Sequence, residues 1–289
     1  MGPNATISAT DVCQSNWSPV ATAAGWVSFT GAIAAFIFAG ITFLLAATPT
    51  RPDAAARGFK LLLTAFFAFI TLAYMSAAIA GERVCGRAYT AHTIIGGILA
   101  TAVICIVVAL SWVLVSFGKY TQEALSFLRY LIYFALTLIA VMLAVSSTGY
   151  HRAITNHGLT ASDTGMIITS GAFILVGIAL VILSHFRAAL VEKWQNACVN
   201  VLAAGTLLNL AVTSISAGLV VSSDSKDWGH PSKGLIEASA WGALIPPLIV
   251  LLAAIGAIAT MQKTPPVPAP APPAESAAEG GQPINPPSA

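Results

Sequence analysis

The chain alternates between long apolar stretches and short segments that carry its charges. Seven stretches lack Asp, Glu, Lys and Arg, and each is roughly 20–26 residues long, enough for a helix to cross about 30 Å of hydrocarbon. A backbone in lipid must satisfy its own hydrogen bonds, and no run of short alternating strands is seen, so the pattern predicts an all-α membrane protein, a seven-transmembrane helix bundle. The predicted spans are 25–47, 61–81, 93–118, 130–150, 164–184, 197–221 and 238–262.

Composition excludes two broad classes of protein. Of 289 residues, 57% are hydrophobic and only 8% are charged, and the mean hydropathy is +0.82. Soluble domains need about 25% charged residues. A net charge of +2 without a basic patch argues against a nucleic-acid partner. The expected surroundings are a lipid bilayer, so we predict a multi-pass protein of the plasma membrane or an endomembrane.

The chain divides into three predicted regions. Residues 1–22 form an extracytoplasmic arm, 23–263 the seven-helix domain, and 264–289 a disordered cytoplasmic tail that carries nine of the sixteen prolines. The segment before the first span contains Asp11 and no Lys or Arg, which favours a retained signal anchor over a cleaved signal peptide.

Three features favour an N-terminus outside and a C-terminus in the cytoplasm. In that orientation the inner segments hold eight Lys and Arg and the outer segments five, in agreement with the positive-inside rule. Asn4 and Asn16 lie in glycosylation sequons of the outer arm. Cys13 and Cys85 also fall outside, where they form either a disulfide bridge or two unpaired thiols.

Polar candidates gather at the predicted outer rim and on the sixth span. Glu237 is expected in the first turn of the last helix, and Asp163 as the N-cap or a first-turn acid of the fifth. Both are either acids that complement a helix N-terminus or hypothetical proton donors. On the sixth span, Thr206, Asn209, Thr213 and Ser216 share one face, which predicts either interhelical hydrogen bonds or the wall of a ligand cavity. Four histidines are also expected at the outer rim: His92 at the start of the third helix, His151 and His157 in the loop after the fourth, and His230 before the seventh. They lack paired ligand spacing, so no metal site is predicted.

The chain resembles the microbial (type I) rhodopsins and their fungal opsin-related relatives. The resemblance lies in the topology and in the first two spans, 26–29 (WVSF) and 70–77 (ITLAYMSA). In the third span, Arg87, Tyr89 and His92 occupy a stretch where the family has an Arg-Tyr-x-Asp/Asn-Trp motif, but the acidic proton acceptor has no counterpart. The family's retinal-binding lysine is also missing, because Ile245 precedes Pro246 at the aligned position.

Three functions follow, and none requires a cofactor. The first is a retinal-free opsin-like protein with a sensor, scaffold or stress-linked role, since a retinal Schiff base needs a buried amine and no lysine lies within a predicted span. The second is a terpene cyclase of a fungal meroterpenoid pathway, with Glu237 or Asp163 as the acid and a hydrophobic or prenylated small molecule as substrate. The third is a small-solute or lipid transporter. The predicted substrate-contacting residues are Tyr74, Tyr89, His92, Asn209 and Trp241, with Tyr150 beside them.

Overall fold

Seven helices cover almost all of the chain that the structure, a computed structural model, describes. The described residues are 18–118, 122–155, 160–186, 188–224, 228 and 231–259, without side chains for 122, 184–186, 188–193 and 195. Every helix contains a stretch long and apolar enough to cross a membrane, which confirms the seven-helix membrane fold. The helices are α1 (Pro19–Ala46), α2 (Pro52–Ala80), α3 (Cys85–Ser116), α4 (Gln122–Thr155), α5 (Ala161–Phe186), α6 (Ala188–Ser222) and α7 (Lys233–Ala259).

The helices are longer, and their connections shorter, than the charge-free runs predict. They contain 26–35 residues, and in α2 to α7 polar and charged residues continue the helix beyond its apolar stretch. Lys, Arg, Glu and Gln are good helix formers, so leaving the apolar core does not by itself end a helix. The predicted spans leave connections of 11–16 residues between them, and this expected length is therefore wrong. The helix α1 begins at Pro19, inside the predicted N-terminal arm, with Ser18 as its N-cap.

Two helices form the centre of the bundle. The helix α3 packs against α1, α2, α4, α6 and α7, and α7 packs against α3, α4, α5 and α6. Gly97 allows the close approach of α3 to α7, since a Cβ there would lie 3.2 Å from the Ala243 carbonyl oxygen and 3.4 Å from Pro247 Cγ. Pro246 and Pro247 lie inside a continuous α7. The absence of a side chain at Gly97 therefore lets the two helices pack closely.

The turn between α1 and α2 docks on the end of α3. The Thr50 hydroxyl donates to the Ser116 carbonyl oxygen at 2.8 Å, and the Arg51 N–H donates to the same oxygen at 3.0 Å. Gly118 has φ +62, and its Cβ would lie 2.9 Å from Thr50 Oγ1, so this position requires glycine on both counts.

Candidate functional site

A lateral cavity of about 390 Å³ lies mainly between α2, α3 and α4, with Trp26 of α1 and Ala243 of α7 completing its wall. Its walls are mostly apolar, and its polar groups include Ser76, His92, Thr93 and Ser147. Ligand sites of small molecules have this character, with volumes of ~300–1,000 Å³ and a few polar groups in an apolar wall. The lining residues are Trp26, Leu72, Ser76, His92, Thr93, Ile95, Gly96, Leu99, Ala100, Val103, Leu138, Ile139, Met142, Leu143, Ser146, Ser147 and Ala243.

The α4 side of the cavity communicates with the surroundings of the bundle. Leu138 is 46% exposed and Met142 is 56% exposed, although both line the cavity. In a membrane those surroundings are lipid, so an apolar molecule can enter from the bilayer without crossing water. At the inner end Ser76 is buried, and its hydroxyl has no hydrogen-bond partner among the described residues.

A partly buried tyrosine, Tyr89, packs against the buried Tyr150, three residues along their helices from the cavity residues His92 and Ser147. The Tyr150 hydroxyl and Thr90 Oγ1 share a hydrogen bond of 2.9 Å, and the Tyr89 and Tyr150 ring centroids are 5.5 Å apart. Thr90 and Tyr150 are buried, so this bond joins α3 to α4 inside the bundle. His92 lies two turns inside α3, because the helix already begins at Cys85, and not at the helix start as predicted.

Asp163 is fully buried, and its carboxylate is held by three neighbouring groups. It accepts hydrogen bonds from the Thr160 N–H at 2.8 Å and the Thr160 hydroxyl at 3.0 Å. Its other oxygen is 2.9 Å from Nδ1 of His151, which therefore donates to the carboxylate. The Asp163 N–H donates back to Thr160 Oγ1 at 3.3 Å, completing a capping box at the start of α5. The first-turn position predicted for this acid is confirmed.

His151 differs from its predicted position. It lies in α4, which continues to Thr155, and it is buried rather than placed in a loop. Its Nε2 has no hydrogen-bond partner among the described residues. The sequence did contain a signal for the pair: His151 and Asp163 flank a short polar connection, where the ends of two antiparallel helices meet.

Arg87 connects the start of α3 to the end of α6. Its guanidinium donates to Glu82 Oε1 at 2.7 Å, to the Ser223 carbonyl oxygen at 2.5 Å and to the Val221 carbonyl oxygen at 3.2 Å. Burial by itself would raise the pKa of Glu82, but hydrogen bonds from the Val84 and Arg83 N–H groups and from Arg87 outweigh it and hold this pKa below its ordinary value.

The polar face of α6 makes interhelical hydrogen bonds, which was one of the two alternatives predicted for it. Asn209 Nδ2 donates to the Gly97 carbonyl oxygen at 3.2 Å and to Thr101 Oγ1 at 3.3 Å. Thr206 Oγ1 lies 3.2 Å from the Cys105 sulfur. These contacts join α6 to α3, and neither Asn209 nor Thr206 lines the lateral cavity.

Three other predicted site residues lie apart from the cavity. Tyr74 is 71% exposed and faces outward from α2. Glu237 lies 3.7 Å from Lys233, on a partly exposed surface of α7. It falls in the second turn, since α7 begins at Lys233, and not in the first turn as predicted. Trp241 is half-buried against α5, with its ring 3.4 Å from where a Gly165 Cβ would be.

Several predicted features lie wholly or partly outside the described residues. Asn4, Asn16, Cys13, His157, His230 and the tail belong to this group. Cys85 is disulfide-bonded, and Cys105 and Cys198 are free, but a Cys13–Cys85 bridge stays a prediction because Cys13 is not described. Within the described ranges, no group of three or more His, Cys, Asp or Glu residues could hold a metal ion.

Sequence reasoning missed most of the cavity wall. It named His92, but not Trp26, Ser76, Gly96 or Ser147. These residues belong to four different helices, so no spacing within one helix could have grouped them. The only available signal was small or polar residues, such as Ser76 and Ser147, within otherwise apolar spans.

Comparison with known proteins adds no relative to this description. No family model, curated protein or solved structure matches the chain. Its architecture therefore supports one plain conclusion: the chain is a multi-pass integral membrane protein.

Proposed function

We propose that this chain is a retinal-free, opsin-like membrane protein that senses an apolar small molecule bound non-covalently in the lateral cavity. The cavity carries the proposal: its volume of about 390 Å³ suits such a ligand, and its lining contains no amine. A covalent retinal would need that amine. The ligand class is a lipophilic molecule with one hydrogen-bonding group, placed against Ser76 and His92.

The positions of the described lysine side chains support a non-covalent mode of binding. Lys60 donates to Asn200 Oδ1 at 2.7 Å on the opposite half of α2 from Ser76. Lys233 is 81% exposed at the start of α7. Neither lysine is among the cavity residues. An aldehyde bound in the cavity would therefore not form a Schiff base with either of these lysines.

The geometry gives less support to a terpene cyclase. A cyclase needs a proton donor in contact with its substrate, but neither Asp163 nor Glu237 lines the cavity. Asp163 accepts hydrogen bonds from Thr160 and His151, and such bonds favour the ionised form over the acid that would donate a proton. No contact in the described chain favours a transporter.

The test fills the cavity without disturbing the helix. A side chain at Gly96 would meet open space, since no atom lies within 4 Å of its ideal Cβ, and Gly96 lines the cavity. Gly171 of α5 is equally open but lies elsewhere, so it provides the matched control. Purified, delipidated Gly96→Leu and Gly171→Leu proteins are compared with the wild type by native mass spectrometry, using a panel of retinoids, isoprenoid alcohols and sterols.

We expect at least one panel member to bind the wild type and Gly171→Leu equally, and to be lost from Gly96→Leu. Both variants should remain folded, because replacing a helical glycine favours the helix by up to about 1 kcal/mol. Binding that survives in Gly96→Leu, or no binding of any panel member, would contradict the proposal. Incubation with retinal provides a separate check: a borohydride-trapped adduct that forms in the wild type and Gly171→Leu but not in Gly96→Leu would show an amine within reach of the cavity and rule out a non-covalent mode.

A further inference from the structure

Two cationic side chains at the start of α2 have neutral partners. Arg57 Nε donates to Asn196 Oδ1 at 2.9 Å, and Lys60 Nζ donates to Asn200 Oδ1 at 2.7 Å. The two cations are three residues apart on α2, and the two asparagines are four residues apart on α6, so each pair lies on one helix face. An amide oxygen accepts a hydrogen bond but cancels no charge.

The same place offers further hydrogen-bond donors. Each asparagine that accepts through Oδ1 keeps an NH₂ group, and each cation keeps unused N–H bonds. The Arg57 guanidinium lies over the Trp112 ring at 4.8 Å from its centroid, which orients the guanidinium. Trp112 is fully buried, and its Nε1–H has no hydrogen-bond partner among the described residues.

One acid with a described side chain lies nearby, and it does not neutralise both cations. Asp53 attracts Arg57 electrostatically, but no salt bridge within 4.0 Å joins Asp53 to Arg57 or Lys60 in the described chain. Among the described side chains, the local balance is therefore two positive charges against one negative charge, and most of the free hydrogen-bonding groups are donors. Such a set suits an anion with several oxygens.

The depth of this cluster fits a lipid headgroup. The 29 residues of α2 span about 43 Å, so about 6 Å of helix extends beyond each side of a ~30 Å hydrocarbon core. Arg57 and Lys60 lie in the second and third turns of α2, where long cationic side chains reach the interface. In the predicted orientation this is the cytoplasmic side, where anionic lipids attract basic groups.

We propose that Arg57, Lys60, Asn196 and Asn200 form a binding site for an anionic phosphate group between α2 and α6. The phosphate belongs either to a lipid headgroup or to a soluble phosphate compound. The site is separate from the lateral cavity, because none of its four residues lines that cavity.

The experiment exchanges charge while preserving the hydrogen bonds. Asn196→Asp and Asn200→Asp keep an acceptor oxygen for Arg57 and Lys60, but place a carboxylate where the phosphate would bind. Arg83→Gln is the control for surface charge, since Arg83 is exposed at the opposite end of the bundle. The delipidated full-length protein in detergent is titrated with phosphatidic acid, with phosphatidylcholine of the same chains, and with inorganic phosphate, and retention is measured by native mass spectrometry.

We expect phosphatidic acid to be retained over phosphatidylcholine. Each Asn→Asp change should weaken that retention by about fivefold, the effect of one charge at a membrane surface, and the double variant by about 25-fold. Both single variants should unfold at the wild-type temperature or above it, which distinguishes lost binding from lost structure. Arg83→Gln should bind like the wild type.

Inorganic phosphate distinguishes the source of the ligand. Competition by millimolar phosphate indicates a site for soluble phosphate compounds, and its absence indicates a lipid headgroup; both outcomes support the proposed chemistry. Equal retention of the two lipids, wild-type retention in the double variant, or an equal loss in Arg83→Gln would overturn it. These outcomes are independent of Gly96, so they do not depend on the proposed function.

Discussion

The two ends of the bundle differ in the partners of their cationic side chains. At the end where α3, α5 and α7 begin, two cations have anionic partners: Arg87 pairs with Glu82 at 2.7 Å, and Arg152 Nε lies 3.9 Å from Asp163 Oδ2. At the other end, Arg57 and Lys60 donate to neutral asparagine amides. A cation paired with a carboxylate stabilises the contact between helices, whereas a cation paired with an amide still attracts an anion. The first end is therefore stabilised by charge pairs, whereas the second end is where we propose that an anion binds.

Breaking the Arg87 contact should have the largest effect. Arg87→Met leaves the Glu82 carboxylate, whose side chain is only 5% exposed, without its cation, and it removes donors from two α6 carbonyl oxygens. Removal of one partner from a buried ion pair typically costs about 3–5 kcal/mol. Thermal unfolding of the purified protein in detergent measures this. Arg83→Gln in the same turn should cost little, and equal unfolding temperatures for the two variants would contradict the comparison.

Removing the charge of the Asp163 carboxylate should cause the second largest loss of stability. Asp163→Asn keeps the size of the side chain but removes the charge, and its NH₂ group must replace an acceptor of the His151 or Thr160 hydrogen bonds. A buried polar group without its partner costs about 1–3 kcal/mol. Urea or SDS unfolding is the measurement. The control Glu237→Gln affects a partly exposed pair at 3.7 Å and should cost less than about 1 kcal/mol of stability. A larger loss of stability in Glu237→Gln than in Asp163→Asn would show that Glu237, and not Asp163, is the acid that stabilises the fold.

A smaller loss of stability is expected when a hydrogen bond between uncharged groups is removed in the middle of the bundle. Asn209→Leu removes hydrogen bonds to Gly97 and Thr101, which join α6 to α3. Hydrogen bonds between transmembrane helices average about 0.6 kcal/mol and reach about 1.7 kcal/mol. Asn200→Leu, on the same helix near the other end, is a useful comparison. If Asn209→Leu destabilises the protein more than Arg87→Met, polar contacts in the interior outweigh the charged end.

The smallest expected effect is on the pH dependence of stability, through Glu82. The pKa of Glu82 is lower in the folded protein than its ordinary value of 4.5, so its interactions stabilise the fold at neutral pH. That contribution begins to fall as the pH drops below about 4.5, and it is lost once the pH passes through the lower folded pKa. In Glu82→Gln this part of the acid dependence should be absent. Parallel curves of unfolding temperature between pH 6 and pH 3 for wild type and variant would refute this role for Glu82.

The sequence alone determined the membrane fold. Burying charge in hydrocarbon costs free energy, so charged residues are absent from the spans, and each span can be recognised as a charge-free run. Seven charge-free runs predicted seven helices, and the face shared by Thr206, Asn209 and Thr213 predicted contacts on one side of α6. Helix ends were less predictable, since Lys, Arg and Glu continue a helix as readily as they end a span. This is why His151 was expected in a loop and is found in α4.

Only the tertiary structure decided which distant residues meet. The lateral cavity combines side chains from five helices, and the His151–Asp163 and Arg57–Asn196 contacts each join two helices. Helical periodicity specifies which face of a helix is polar, but not which neighbouring helix that face contacts. The choice of neighbour depends on packing, as at Gly97, where the absence of a side chain brings α3 against α7.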